Sequence, residues 1–184
     1  MGGQRAGYGS PAFFLNTICS NCPMATLPDS PCFTDESPIA AEVARGVTRL
    51  FCRQDLFAVC EMPLPNGRRA DLMAIDGAGG FTIVEIKVAK ADLVGDAKWL
   101  DYLDYCDHFY WAVPPHLARI LEEERYLPGE AGLIVADRYD AAVVREASHR
   151  PLAPARRKAE LLRFARRAAR RLAAQVDPSL GDLT

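Results

Sequence analysis

From residue 36 onward the chain divides into short apolar runs separated by turn residues, with helical periodicity at both ends. IAAEVARGVTRLFCR places Ile39, Val43, Val47 and Leu50 on one stripe, behind a DESP entry whose acids and proline suit a helix start. Glu42 lies beside that stripe. FAVCEMPLP, residues 57–65, reads as a strand ending at the turn PNGRR. Residues 69–89, RADLMAIDGAGGFTIVEIKVA, read as two strands joined by a glycine turn. Asp92 or Asp96 can cap a helix over 96–106, with Trp99, Leu103 and Cys106 inward and Lys98, Tyr102 and Tyr105 on an adjacent face. HFYWAVP then predicts a buried strand, PPHLARILEEERYL a helix with proline in its first turn, and AGLIVADRY with AAVVREA a hairpin. A long helix over 153–175, apolar on Leu161, Leu162, Ala165, Ala168 and Leu172, closes the pattern. Residues 1–35, rich in Gly, Pro, Ser, Asn and Thr, predict a disordered leader before a domain at 36–175 and a flexible tail at 176–184. Met24 is a candidate natural start.

Three charges interrupt the core-like hairpin. Charged side chains are rarely buried unless paired or bound to metal, so Asp71, Glu85 and Lys87 need an explanation. Glu85 and Lys87 are two apart and share one strand face, while Val84, Ile86 and Val88 take the other. A hairpin closing about Ala78 pairs residues whose numbers sum to 156, which sets Asp71 opposite Glu85. Opposed Cβ atoms lie roughly 5 Å apart, and two ionised carboxylates that close repel unless a cation sits between them. The pair therefore reads as a metal site. The bland alternative is an ordinary surface pair of Glu85 and Lys87, balanced by Asp71.

Composition narrows the function. At 184 residues and net charge −2 the chain suits one domain and carries no overall field for a polyanion. Locally, Arg156, Arg157, Lys158, Arg163, Arg166, Arg167, Arg170 and Arg171 stand against Glu160 alone, a basic stripe that points weakly to nucleic acid. Six cysteines in a chain this long do not resemble a small disulfide framework, and a reducing, cytoplasmic setting is the simpler expectation. Cys19 and Cys22 form a CxxC near Cys32, but no second ligand pair completes a zinc site, and His108, His116 and His149 lack ligand spacing. The glycine turn joins two strands rather than opening a helix, so it is not a phosphate-cradling loop. No apolar run reaches the ~18 to 20 residues that span a membrane, and PAFFLNTIC lacks the flanks of a signal peptide.

Helix, strand, strand, strand, helix, strand, with an acid in the first helix, Asp71 on the second strand and Glu85-Ile86-Lys87 on the third, resembles the PD-(D/E)xK nuclease superfamily over residues 38–114. The wording RADLMAID and EIKVAKADLVGDAKWLDYLDYCDHFYWAV is similar to the MmcB-like family, described as DNA repair endonucleases. Ala70 stands where the superfamily motif has proline. The resemblance implies a restriction-endonuclease-like αβββαβ core, a mixed sheet flanked by helices, here extended by a C-terminal β-hairpin and a long basic helix. It implies Mg²⁺ or Mn²⁺ on Asp71, Glu85 and the backbone carbonyl of Ile86, with Lys87 beside the attacking water and Glu42 reaching a metal-bound water or a second metal. Phosphodiester hydrolysis needs a water-derived nucleophile and positive charge at the developing phosphorane, which a carboxylate-held divalent ion and a lysine supply.

Lys98, Tyr102, Arg163 and Arg167 are candidate contacts to DNA phosphates, against the plainer reading of aromatics packed on a sheet and arginines on a wet helix face. The expected function is a metal-dependent DNA endonuclease in repair, with DNA and other repair proteins as partners and no membrane. The rival is a nuclease-fold module that binds DNA structures or a repair partner with little turnover, and a weaker rival acts on RNA.

Overall fold

The computed structural model describes residues 37–95 and 99–182. Ser37 accepts a hydrogen bond from the Ile39 amide at 3.4 Å and so caps α1 (Pro38–Arg53), whose first turn holds Pro38, where a missing N–H is no loss. The helix buries Val43, Val47, Leu50 and Phe51; Ile39, expected on the same stripe, lies in the first turn and is 47% exposed. Three strands follow as an antiparallel meander: β1 (Phe57–Pro63), β2 (Arg69–Ile75) and β3 (Phe81–Ile86). After α2 (Lys90–Gly95) and a 3-10 segment, Trp99–Tyr105, β4 (His108–Val113) pairs parallel with β3. Two 3-10 pieces, Pro115–Glu122 and Glu124–Tyr126, lead to β5 (Gly132–Ala136), parallel to β4, and β6 (Ala141–Arg145) returns antiparallel. The long α3 (Pro154–Val176) and a short 3-10 turn, Pro178–Asp182, end the described chain.

The sheet is six-stranded in the order β1-β2-β3-β4-β5-β6, mixed, with helices on both faces, as the resemblance implies. Strand alternation divides the apolar residues into two layers. On one face Leu72, Val84, Ala112 and Ile134 pack beneath Val43, Val47 and Phe51 of α1. On the other, Met73, Ile83, Trp111 and Leu133 meet Trp99, Tyr102 and Phe164. The β5–β6 turn crosses α1 at Gly46, where a Cβ would collide with the Asp137 and Asp140 carbonyl oxygens, so this helix position requires glycine.

Two helical expectations change. Residues 99–105 form a 3-10 helix rather than an α-helix, and Trp99, Tyr102 and Tyr105 are all buried. With three residues per turn, side chains at i, i+3 and i+6 eclipse, so this spacing makes one aromatic stripe instead of two faces. It packs on Phe109, with ring centroids 5.2 Å from Trp99 and 6.2 Å from Tyr102. Similarly, PPHLARILEEERYL folds as two 3-10 pieces.

The second change is the rotation of α3. Its inward row holds Arg157, Glu160, Phe164, Arg167 and Arg171, with Leu161 and Ala168 alongside, while Leu162 and Leu172, expected inward, are 60% and 64% exposed. The rotation is set by two contacts distant in sequence. Arg157 grips the Asp107 carboxylate with two bonds of 2.7 and 2.8 Å, and Phe164 meets Phe81 at a centroid distance of 5.9 Å. Asp107 also accepts the amides of Phe81 and Leu152 at 2.7 and 2.9 Å, and Arg157 donates to the Gly79 carbonyl at 2.8 Å.

Cys52 and Cys106 carry free thiols, whereas Cys60 is disulfide-bonded, which runs against the expectation of reduced cysteines. Among the described residues no helix is long and apolar enough to cross a membrane.

Candidate functional site

The β2–β3 ladder has the register the glycine turn predicts. Leu72 pairs with Val84, Met73 with Ile83, Ala74 with Thr82 and Ile75 with Phe81, each pair summing to 156. Beyond Leu72 and Val84 the backbone ladder stops and carboxylates take over. The Ile86 amide donates to Asp71 Oδ2 at 2.6 Å, and the Asp71 amide points at Glu85 Oε1 at 3.4 Å. Each acid thus accepts from the other's strand, which fixes both carboxylates at the point where β3 leaves β2. The Lys87 amide meanwhile donates to the Ala112 carbonyl at 3.0 Å, keeping β3 tied to β4.

Glu85 is 3% exposed and shares its strand face with Lys87, whose Nζ lies 3.6 Å from Glu85 Oε2. Burial, followed by the charge of Asp71, pushes the Glu85 carboxyl up to about 8, against the opposing pull of Lys87, the Asp71 amide and the Tyr102 hydroxyl. The Lys87 ammonium does not bring the Glu85 carboxyl back to its ordinary range. Hard oxygen donors in this state suit a divalent cation of the Mg²⁺ or Mn²⁺ kind. Among the described residues no group of three or more His, Cys, Asp and Glu side chains is arranged to hold a metal. A cation here would therefore rest on two carboxylates, with water and substrate oxygens completing its shell, a mode typical of Mg²⁺ at phosphate centres.

The remaining expected residues divide. Tyr102 comes to the site, but from below: it is 8% exposed, its hydroxyl donates to the Arg69 carbonyl at 3.1 Å, and the same hydroxyl reaches Glu85. It is a buried prop for the carboxylate, not a surface contact to phosphate. Glu42 stays on α1, which covers the Leu72 and Val84 face, and its carboxylate lies 3.9 Å from Arg138 of the β5–β6 turn. The sheet separates α1 from the face that Glu85 and Lys87 occupy, so this ion pair does not lead toward Asp71.

Arg163 is engaged with Glu160 at 2.7 Å, a glutamate with 0% exposure, and Arg167 buries its Nε on the inward side of α3. Neither presents a free guanidinium to solvent in the way a wet face implies. Lys98 lies outside the described residues.

Sequence reasoning missed Glu61. In β1, Cys60 pairs with Leu72 and Met62 with Ala70, so Glu61 falls across from Asp71. Met62 and Ala70 join the layer beneath α3, whereas Cys60 and Leu72 join the layer beneath α1, although residues two apart on a strand normally share a face. The β1–β2 ribbon therefore twists at this position, and Glu61 takes φ +47°, a left-handed backbone that a non-glycine residue rarely adopts. Glu61 is ion-paired to Arg69 at 3.4 Å, and its charge also reaches Arg171 of α3. The only sequence signal was a glutamate between two buried residues, Cys60 and Met62.

Comparison with known proteins adds two findings. A family model described as DNA repair protein MmcB-like matches residues 29–179. A solved structure of SPO1766, a protein of unknown function from Silicibacter pomeroyi, superposes with a TM-score of 0.70 at 41% sequence identity, covering 79% of this chain and 96% of that one. No curated protein matches the sequence.

Proposed function

Because the chain belongs to the MmcB-like family, we propose that it acts in DNA repair as a metal-dependent DNA endonuclease with its reacting centre at Asp71, Glu85 and Lys87. The observation that carries this reading is the interlock of Asp71 with Glu85 at the end of β3, with Lys87 the nearby ammonium on the same face. A structural carboxylate buried as deeply as Glu85 is normally matched by enough positive charge and N–H groups to stay ionised, whereas Glu85 is held up at about 8.

Asp71 and Glu85 would hold Mg²⁺ or Mn²⁺, which when bound supplies a Lewis acid and a water acidic enough to attack phosphorus. The chain's own residues do the rest. The Ile86 amide and the Tyr102 hydroxyl fix the two carboxylates, and Lys87 places an ammonium where charge builds on the scissile phosphate. The Ile86 carbonyl remains a candidate further ligand. The exposed Arg69, at the start of β2, lies on the rim where a DNA backbone would pass.

A second reading is favoured by the position of Glu42. With that acid held at Arg138 and two carboxylates at the centre, the fold can bind DNA structures or a repair partner with little turnover. Purified protein incubated with Mg²⁺ or Mn²⁺ and plasmid, nicked, flapped or branched DNA separates the two. The nuclease reading expects cleavage that falls by about two orders of magnitude or more in Asp71→Ala and in Lys87→Ala. Cleavage that persists unchanged in both variants overturns the site, and salt-sensitive DNA binding without cleavage under any metal supports the module.

A further inference from the structure

Two arginines on the inward row of α3, Arg167 and Arg171, end beside the candidate centre. The helix is anchored over the turn of the site hairpin by Arg157, which bonds to the Gly79 carbonyl, and by Phe164, which meets Phe81 at the start of β3. From Arg157 to Arg171 the helix advances about 21 Å, and a strand needs about 17 Å to run from Asp76 to Asp71. The end of α3 therefore comes level with the centre. There it packs against β1, and Arg171 feels the charge of Glu61, the residue across from Asp71.

Charge at this end of the helix does not balance. Arg167 and Arg171 stand one turn apart, both half-buried, where like charges repel. Burial, then the charge of Arg167, pushes the Arg171 guanidinium down from its ordinary value, and Glu61 pulls it back. Glu61 is already ion-paired to Arg69 at 3.4 Å, so one carboxylate serves Arg69 and Arg171 together. The buried Nε of Arg167 meets no hydrogen-bond acceptor among the described residues, and Glu160, the one acid of α3, is taken by Arg163. A structural arginine is met by an acceptor, as Arg157 is by Asp107. Three guanidiniums against one carboxylate, presenting planar forks, suit the oxygens of a phosphate. The Arg69 side chain, 57% exposed, opens the cluster to solvent, and its backbone carbonyl takes the Tyr102 hydroxyl that supports Glu85. Adjacent strands lie about 5 Å apart, so an anion held here sits within a few nucleotides of one at the centre.

We propose that Arg167 and Arg171, with Arg69 at the mouth, form a phosphate subsite that holds a DNA strand beside the Asp71 and Glu85 centre, Glu61 being the acid with which the phosphate competes. The phosphate is an internal phosphodiester or a terminal phosphomonoester, and the same guanidiniums serve both. DNA as the ligand rests on the nuclease reading, but turnover is not needed: these are positioning residues and bind the strand without the metal.

The test is run on the full chain in EDTA, so that it reads binding and never cleavage. Fluorescence anisotropy of a labelled DNA duplex is followed across a series of salt concentrations, with the 5′ ends either phosphorylated or left as hydroxyls. Arg167→Gln and Arg171→Gln are each expected to lower the slope of log K against log salt by about 1, and their combination should weaken binding at least about tenfold at ~0.1 M salt. Glu61→Gln should tighten binding several-fold, because the phosphate loses its competing acid. Arg119→Gln removes the same charge from an exposed position elsewhere and should leave the slope unchanged. A loss confined to the phosphorylated duplex identifies a terminal phosphate, and an equal loss on both identifies an internal one. No binding by the unaltered chain, unchanged slopes in both arginine variants, an equal change in Arg119→Gln, or weaker binding in Glu61→Gln overturns the proposal. Without DNA, Arg167→Gln should melt no lower than the unaltered chain, since its Nε has no partner to lose; a fall of more than about 5 °C makes Arg167 a structural residue and overturns its place here. If the metal-loaded protein cleaves no DNA while the slopes fall as expected, the subsite stands and the nuclease reading fails.

Discussion

Two buried carboxylates on the same side of the sheet have opposite surroundings. Asp107, 2% exposed, accepts two backbone amides and a two-pronged guanidinium from Arg157; burial alone would raise its carboxyl, but these partners override it and hold the group down at about 2. Glu85, 3% exposed, faces a second carboxylate and a single ammonium 3.6 Å away, and is held up at about 8. Solvent exposure is nearly equal, so exposure alone does not distinguish structure from function here. What distinguishes them is whether the charge is compensated by the protein itself. Asp107 is complete and joins three segments. Glu85 is left short of positive charge at the end of a strand beside Asp71.

The largest expected effect breaks the complete side. Asp107→Ala leaves the Arg157 guanidinium only the Gly79 carbonyl and takes the side-chain acceptor from the Phe81 and Leu152 amides, and should cost about 3 to 5 kcal/mol in urea unfolding. A loss below about 1 kcal/mol would mean that water replaces the carboxylate there.

Titration sharpens the contrast, because the two acids act in opposite directions. Asp107 is depressed from 3.8 to about 2 on folding, so its contribution is full above the unfolded value and is lost as pH falls toward 2. Glu85 is raised from 4.5 to about 8, so the native state holds the extra proton and metal-free stability falls as pH rises across that interval. Glu85→Gln should flatten this upper slope and make the metal-free protein at least as stable at pH 8. It should also abolish any rise in melting temperature that Mn²⁺ gives the unaltered chain. A melting temperature that Mn²⁺ raises equally in both proteins places the ion elsewhere.

A smaller change is expected from Tyr102→Phe, which removes one hydroxyl shared between the Arg69 carbonyl and Glu85. About 1 kcal/mol of stability and a several-fold drop in cleavage rate should follow, with KM for DNA little altered. A rise in KM alone would instead make Tyr102 a DNA contact. The smallest effect belongs to Glu42→Gln, whose exposed ion pair with Arg138 is worth at most about 0.5 kcal/mol. Cleavage that falls as far as in Asp71→Ala would bring Glu42 into the site and overturn its separation from Asp71.

The parts legible in the sequence are those governed by short-range rules. The glycine turn at residues 76–80 and period-two alternation together set the 156 register, and with it the meeting of Asp71 and Glu85. Both ends of α1 followed from Ser37, Pro38 and the apolar stripe. The parts that escaped are decided by partners far along the chain. The face that α3 turns inward depends on Asp107, 50 residues before Arg157, and local periodicity pointed to Leu162 and Leu172 instead. The aromatic stripe at 99, 102 and 105 fits two helical periods on paper, and only the ring stack on Phe109 selects the tighter one. The twist at Glu61 has no local signature, since no glycine marks it.

Arg157 has a consequence for the order in which the molecule is made. It bonds to the Gly79 carbonyl in the turn of the site hairpin from 78 positions further along, so the hairpin leaves the ribosome well before its clasp exists. Until then Asp107 has no Arg157 guanidinium, and the start of β3 is tied to β4 through the Phe81 amide on the Asp107 carboxylate, the Asp107 amide on the Phe81 carbonyl and the strand ladder. A chain stopped short of residue 157 would carry every residue of the candidate centre and still hold a nearly buried carboxylate without its main counter-charge. Formation of α3 thus closes the hairpin at its turn: residues 79 to 81 gain their last anchor only once the chain has been made through Arg157.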